Sequence, residues 1–175
     1  MTPRVLVVYF SRSGHTASIA EALRKRLSAD VEELHDPADR RGLTGYLRSG
    51  AEALLGASAQ IERPAKDPSV YDLVLVGAPV WAASACPPAR TYLWLERDRL
   101  PPTGFFVTYG GAGADRALGQ MRALLGKKPV ATLAIREADV RGGRAETAVA
   151  AFTDALLGRP PRPRKRRRSA RARAA

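Results

Sequence analysis

Apolar residues fall along the chain in two alternating patterns. Short runs that are apolar at nearly every position fit strands buried on both faces of a parallel sheet. Longer stretches, with apolar residues every three or four positions, fit helices that bury one face. Arg4-Val5-Leu6-Val7-Val8-Tyr9-Phe10 is the first run and reads as the central strand. Ile19, Leu23 and Leu27 follow at four-residue spacing on one helical face. Asp30-Val31-Glu32-Glu33-Leu34-His35 is short and mixed, as in a strand near a sheet edge, and residues 36–42 are turn-forming. Leu43, Leu47, Ala51, Leu54 and Leu55 predict a second helix, with Arg48 and Glu52 on its other face, before a polar connection over 61–68.

The third element of strand type is Tyr71-Asp72-Leu73-Val74-Leu75-Val76-Gly77, and the polar and apolar mixture at 78–86 reads as a loop. Pro87 or Pro88 in a first helical turn starts the next helix, which runs through Tyr92 to Arg97. Phe105-Phe106-Val107-Thr108-Tyr109 is a fourth strand that breaks at Gly110-Gly111-Ala112-Gly113. A helix with Leu118, Met121 and Leu125 on one face follows, then a fifth strand at 130–135 and a closing helix marked by Val149, Phe152 and Leu156. Five strands alternating with five helices predict an α/β fold with a doubly wound five-stranded parallel sheet, because crossovers between parallel strands are right-handed. Ligands of such sheets sit beyond the carboxyl ends of the strands, where the winding reverses. The turns after strands one, three and four, at 11–16, 79–84 and 108–113, are the ones that would converge there.

Composition adds a boundary. The chain has 175 residues, 45% of them hydrophobic, which suits one domain with a full core. The net charge of +12 is uneven: nine of the 29 basic residues follow Gly158, where no acidic residue occurs. Residues 1–158 therefore read as a nearly neutral domain, and residues 159–175 as a disordered Arg/Pro/Ala tail unable to bury enough apolar surface to fold. The tail suits contact with a polyanion, or simple solvation, since no aromatic residues interleave with its arginines to stack on bases. No run has the length of a membrane span, and the N-terminus lacks signal-peptide regions, so a cytoplasmic protein without membrane contact is expected. The single cysteine, Cys86, allows no internal disulfide and no cysteine-based metal cluster.

The stretch richest in chemistry is Ser11-Arg12-Ser13-Gly14-His15-Thr16, set between the first strand and its helix. The first amides of a helix lack carbonyl partners and lie at the positive end of its dipole, so a phosphate fits there. Ser11, Ser13 and Thr16 can add hydroxyl donors, and Gly14 permits close approach or a positive φ. No Gly-Lys-Ser/Thr follows and the second and third glycines of a dinucleotide fingerprint are missing, so neither of those motifs applies. An ordinary serine-rich N-cap is the plainer alternative. Trp81 lies in a loop, where stacking on a planar ligand and core packing are the two readings, whereas Trp94 lies within a helix and is expected to pack. Tyr109 reads equally as a ring cover or a half-buried strand end. His15 suits anion binding or capping, with no second histidine near it for a metal. Cys86 precedes a helix start, a position that can activate a thiol or merely bury a small side chain. His35 lies apart from His15 in an edge strand, so no Ser-His-Asp arrangement forms, and no catalytic or metal residues are assigned.

Taken together, residues 4–157 resemble the flavodoxin family. Ser11 to Thr16 is similar to that family's phosphate loop, Gly77-Ala78-Pro79-Val80-Trp81 to its second loop and Thr108-Tyr109-Gly110-Gly111 to its third. The resemblance implies strand order 2-1-3-4-5, the short-chain type, and one non-covalently bound FMN. By position, Ser11, Arg12, Ser13, Gly14, His15 and Thr16 would hold the phosphate. Pro79, Val80, Trp81 and Ala82 would line one edge of the isoalloxazine, and Thr108, Tyr109, Gly110, Gly111 and Gly113 the other. Two departures stand out. Many electron carriers of the family are acidic around the flavin, and this domain is not. A glycine beside the ring often flips its peptide there, whereas Trp81-Ala82-Ala83 has none, and alanine held in a left-handed conformation costs roughly 1–2 kcal/mol. The implied function is FMN-mediated electron transfer with a redox partner protein. The alternatives are an NAD(P)H-dependent FMN or quinone oxidoreductase and a flavin-free polyanion-binding protein.

Overall fold

The computed structural model describes residues 3–36 and 61–158. The helix expected around Leu43 to Leu55 and the basic tail lie outside the described residues. Five strands form a parallel sheet: β1 (Val5–Tyr9), β2 (Asp30–Glu33), β3 (Leu73–Trp81), β5 (Thr103–Tyr109) and β6 (Thr132–Arg136). Their order is β2-β1-β3-β5-β6, with every neighbouring pair parallel. This is the 2-1-3-4-5 order expected from the sequence once the two-residue β4 (Ser84–Ala85), which folds back antiparallel on β3, is set aside. The helices are α1 (His15–Leu27), α2 (Pro87–Glu96), α3 (Ala114–Leu125), α4 (Glu137–Arg141) and α5 (Glu146–Leu157).

The side-chain period of two in β1 divides the core into two layers. Val5, Val7 and Tyr9 join Ile19, Leu23 and Leu27 of α1 and Val149, Phe152 and Leu156 of α5. Leu6, Val8 and Phe10 face the other way, toward Ala89, Tyr92 and Leu93 of α2 and Ala117, Met121 and Leu125 of α3. The apolar stripes read from the sequence are therefore the surfaces that cover the sheet. Cys86 is fully buried at the start of α2, and Pro87 opens that helix, where its missing N–H has no acceptor to lose.

Four expectations are corrected. β3 continues through Pro79, Val80 and Trp81, which had read as loop. Proline is tolerated at 79 because β1 stops at Tyr9, opposite Gly77, so no β1 residue remains to accept an N–H from that position. The short helix α4 was not foreseen; it carries no buried residue and so leaves no apolar period. Trp94 is 57% exposed instead of packed. His35 lies past the end of β2, not within it.

Candidate functional site

Four loops meet at the carboxyl ends of β1, β3, β5 and β6. The β1–α1 loop ends at Gly14, the N-cap of α1, which holds φ 86°. That left-handed conformation is one glycine adopts without steric cost. Among the described residues, no carbonyl or side chain accepts from the amides of Ser13, Gly14, His15 and Thr16. Around these four donors the side chains are anchored. Ser11 Oγ accepts from the Ala17 amide at 3.2 Å, which leaves its own hydrogen to donate elsewhere. Ser13 Oγ and His15 Nδ1 are 3.0 Å apart. Thr16 is buried and its hydroxyl bonds that of Thr108, at 2.7 Å, tying α1 to the end of β5.

The second loop is a hairpin tip. Ala82 and Ala83, between β3 and β4, both have positive φ, 47° and 58°. Two consecutive positive φ values are what a two-residue type I′ turn requires, and Asn-Gly is the pair that adopts them readily. Gln120 on α3 braces the hairpin: its Oε1 accepts from the Ala85 amide at 3.2 Å and its Nε2 donates to Ser84 Oγ at 3.1 Å. Gly113, the N-cap of α3 at φ 94°, lies so close to the turn that a Cβ there would fall 2.5 Å from Ala83 Cα. The second and third loops are thus in direct contact, and only glycine permits it.

Trp81 is 5% exposed, with Phe10 edge-on to its ring at 5.6 Å and the Arg12 guanidinium 4.8 Å above it. Its ring is packed on both counts, so a stacking ligand would have to take the place of the guanidinium. Pro79 is buried in β3 opposite Thr108, and Val80 is half-buried opposite Ala85. Tyr109 is half-buried, with the Arg136 guanidinium 6.0 Å from its ring centre. Gly110 and Gly111 are exposed, and a Cβ on either would enter open space. All the site residues expected from the sequence therefore lie along one edge of the sheet, joined by the Thr16–Thr108, Arg12–Trp81 and Ala83–Gly113 contacts.

Two further residues belong to this edge. Arg136 ends β6, paired with Tyr109, and Glu137 opens α4 with its Oε2 3.6 Å from His15 Nδ1. Their signal in the sequence was the end of the fifth strand itself, where the same rule about carboxyl ends applies.

No family model and no curated protein matches the sequence. Solved structures do match. A flavoprotein from Lactobacillus acidophilus NCFM, crystallised in complex with FMN, is 20% identical, with a TM-score of 0.65 over 80% of this chain and 97% of that one. The chain has the flavodoxin-like fold. A Streptococcus pneumoniae flavodoxin is similar at 13% identity and a TM-score of 0.53, over 88% of this chain and 97% of that one. An NADH:FMN oxidoreductase in its apo form is similar at 17% identity and a TM-score of 0.53, over 91% and 92%. Within this flavodoxin-like fold the donor set of the first loop fits a phosphomonoester: four amides without acceptors, the hydroxyls of Ser11 and Ser13, and no acidic side chain in the loop itself. Among the described residues no group of His, Cys, Asp and Glu could hold a metal ion, and no helix is long and apolar enough to cross a membrane.

Proposed function

We propose that the protein is an FMN-binding redox protein. The observation that carries this reading is the run of acceptor-free amides from Ser13 to Thr16 at the start of α1, beside the free hydroxyl hydrogen of Ser11. The dipole of α1 adds to them, and such an end favours an anion without a lysine. FMN supports the reading further because a similarly folded flavoprotein was crystallised with it. When bound, FMN would supply the electron and hydride chemistry. The chain's own residues would do the rest. Ser11, Ser13, Gly14, His15 and Thr16 would grip the phosphate, Trp81 and Tyr109 would border the ring, and Gly110 and Gly111 would let it approach the backbone.

The test is a fluorescence titration of the flavin-free protein with FMN and with riboflavin, which lacks the phosphate. FMN is expected to bind roughly a hundredfold tighter, about 2.7 kcal/mol, the value of two or so charge-assisted hydrogen bonds. Gly14→Val should abolish that preference while leaving riboflavin binding nearly unchanged. Equal affinities, or no quenching by either, would defeat the reading. A second reading, an NAD(P)H-dependent FMN or quinone oxidoreductase, draws on the arginines at the ring edge. Rapid bleaching of the holoprotein by NADH or NADPH in stopped flow would favour it over a carrier that takes electrons from a partner protein.

A further inference from the structure

The carboxyl edge of the sheet carries charge in a pattern that the FMN reading does not use. In strand order β1, β3, β5, β6 it presents Arg12, Trp81, Tyr109 and Arg136, a cation at each end of an aromatic pair. The outer strands of this row stand three spacings apart, roughly 14 Å. Arg136 is exposed and, among the described residues, forms no ion pair. The neighbouring Glu137 lies against His15, so its charge is directed to the first loop and not to the row. Guanidiniums over aromatic faces keep their charge and stay positioned by the rings.

Resting on the FMN reading, we propose that this edge exchanges electrons with a small anionic redox molecule, drawn in by Arg12 and Arg136. A large acidic protein face is the poorer match. It would need a broad basic surface, and the described domain intersperses its cations with Glu33, Asp115, Glu137 and Asp139. Two fixed guanidiniums beside a flat aromatic pair suit a compact anion next to a ring. The redox step is simple electron removal: two one-electron oxidants each take one electron from the reduced ring, which returns to its oxidised form as two protons pass to solvent.

The experiment follows oxidation of reduced, full-length holoprotein by two probes of opposite charge, ferricyanide and hexaammineruthenium(III). At low salt ferricyanide is expected to react faster, the advantage shrinking as salt screens the arginines. Arg12→Gln and Arg136→Gln should each slow ferricyanide, by about tenfold in the double variant, and speed the ruthenium complex. Arg97→Gln, on an exposed residue at the far end of α2, removes the same charge and should change neither rate. Residues 159–175 are the same in every variant, so their charge cancels in the comparison. Equal rates for the two probes, or arginine variants indistinguishable from Arg97→Gln, would overturn the proposal. So would an arginine dependence seen only with an acidic ferredoxin as oxidant, which would assign the edge to a protein instead. FMN retained on desalting with no charge discrimination defeats this proposal alone, whereas loss of FMN on desalting defeats the cofactor reading beneath it.

Discussion

Ala82 and Ala83 hold the tip of the β3–β4 hairpin in a conformation that L-residues avoid, at roughly 1–2 kcal/mol each. The turn persists because its flanks over-determine it, with Gln120 bonded to both ends of β4 and Gly113 against its second residue. Ala83→Gly should therefore stabilise the protein. The relieved strain exceeds the added chain entropy of glycine, leaving a net gain of roughly 0.5–1 kcal/mol, to be read as a higher urea midpoint. Gly113→Ala should do the reverse. A Cβ there meets backbone 2.5 Å away at a φ of 94°, and backbone cannot swing aside as a side chain can. We expect a loss of roughly 2–3 kcal/mol, with weaker FMN binding because the second and third loops move apart. The contrast between the two substitutions separates strain inside the turn from contact across it.

At the scale of elements, two pairings decide how the sheet and the site are joined. Gly77 in β3 lies opposite Phe106 in β5, and the aromatic ring occupies the space a Cβ would need, 2.1 Å from Phe106 Cζ. Phe106 is fully buried, so Gly77→Ala should cost at least about 3 kcal/mol, measured by chemical unfolding. The buried Thr16–Thr108 hydroxyl pair ties α1 to β5. Thr16→Val or Thr108→Val alone orphans the partner hydroxyl and should cost about 1–2 kcal/mol, whereas the double variant should cost less than the sum of the two. How much of this was legible follows from the same residues. Val5 to Tyr9 and the Ile19, Leu23, Leu27 stripe were readable because a buried strand and its covering helix leave unambiguous periods. The carboxyl-end rule then gathered the three loops from their order alone. β3 beyond Gly77 was hidden because Pro79 looks like a break unless one knows that β1 has already ended. The five-residue α4, with nothing buried, leaves no period to find, so Arg136 and Glu137 went unread. No local pattern reports that Arg12 would lie over Trp81, since the two are brought together only by the crossover between β1 and β3.

For the molecule as a whole, three tyrosines set the response to alkaline pH. Burial, followed by the charge and hydrogen bond of Glu33, pushes the Tyr9 phenol up to about 12 from its usual 10. Tyr71 is raised by burial and by its bond to Asp30 Oδ2 at 2.8 Å. Tyr92, fully buried in the α2–α3 layer, is raised mostly by burial. In each case the folded state holds a proton that the unfolded chain releases near pH 10. Above that pH the unfolded chain binds fewer protons, so stability falls as pH rises. The stability these groups contribute is intact below pH 10 and is lost as pH climbs from about 10 to about 12, the Tyr9 limit. Tyr92 gives a clean test, because its hydroxyl is buried without a hydrogen-bond partner. Tyr92→Phe removes an unsatisfied polar group and keeps the ring, so it should gain about 1 kcal/mol near neutral pH. It should also make the alkaline decline shallower, since one of the three retained protons is gone. Urea midpoints for both proteins, taken from about pH 8 to about pH 11, check both effects together. A variant no more stable at neutral pH, with a limb as steep as the parent's, would mean that Tyr92 ionises in the folded protein as it does in water.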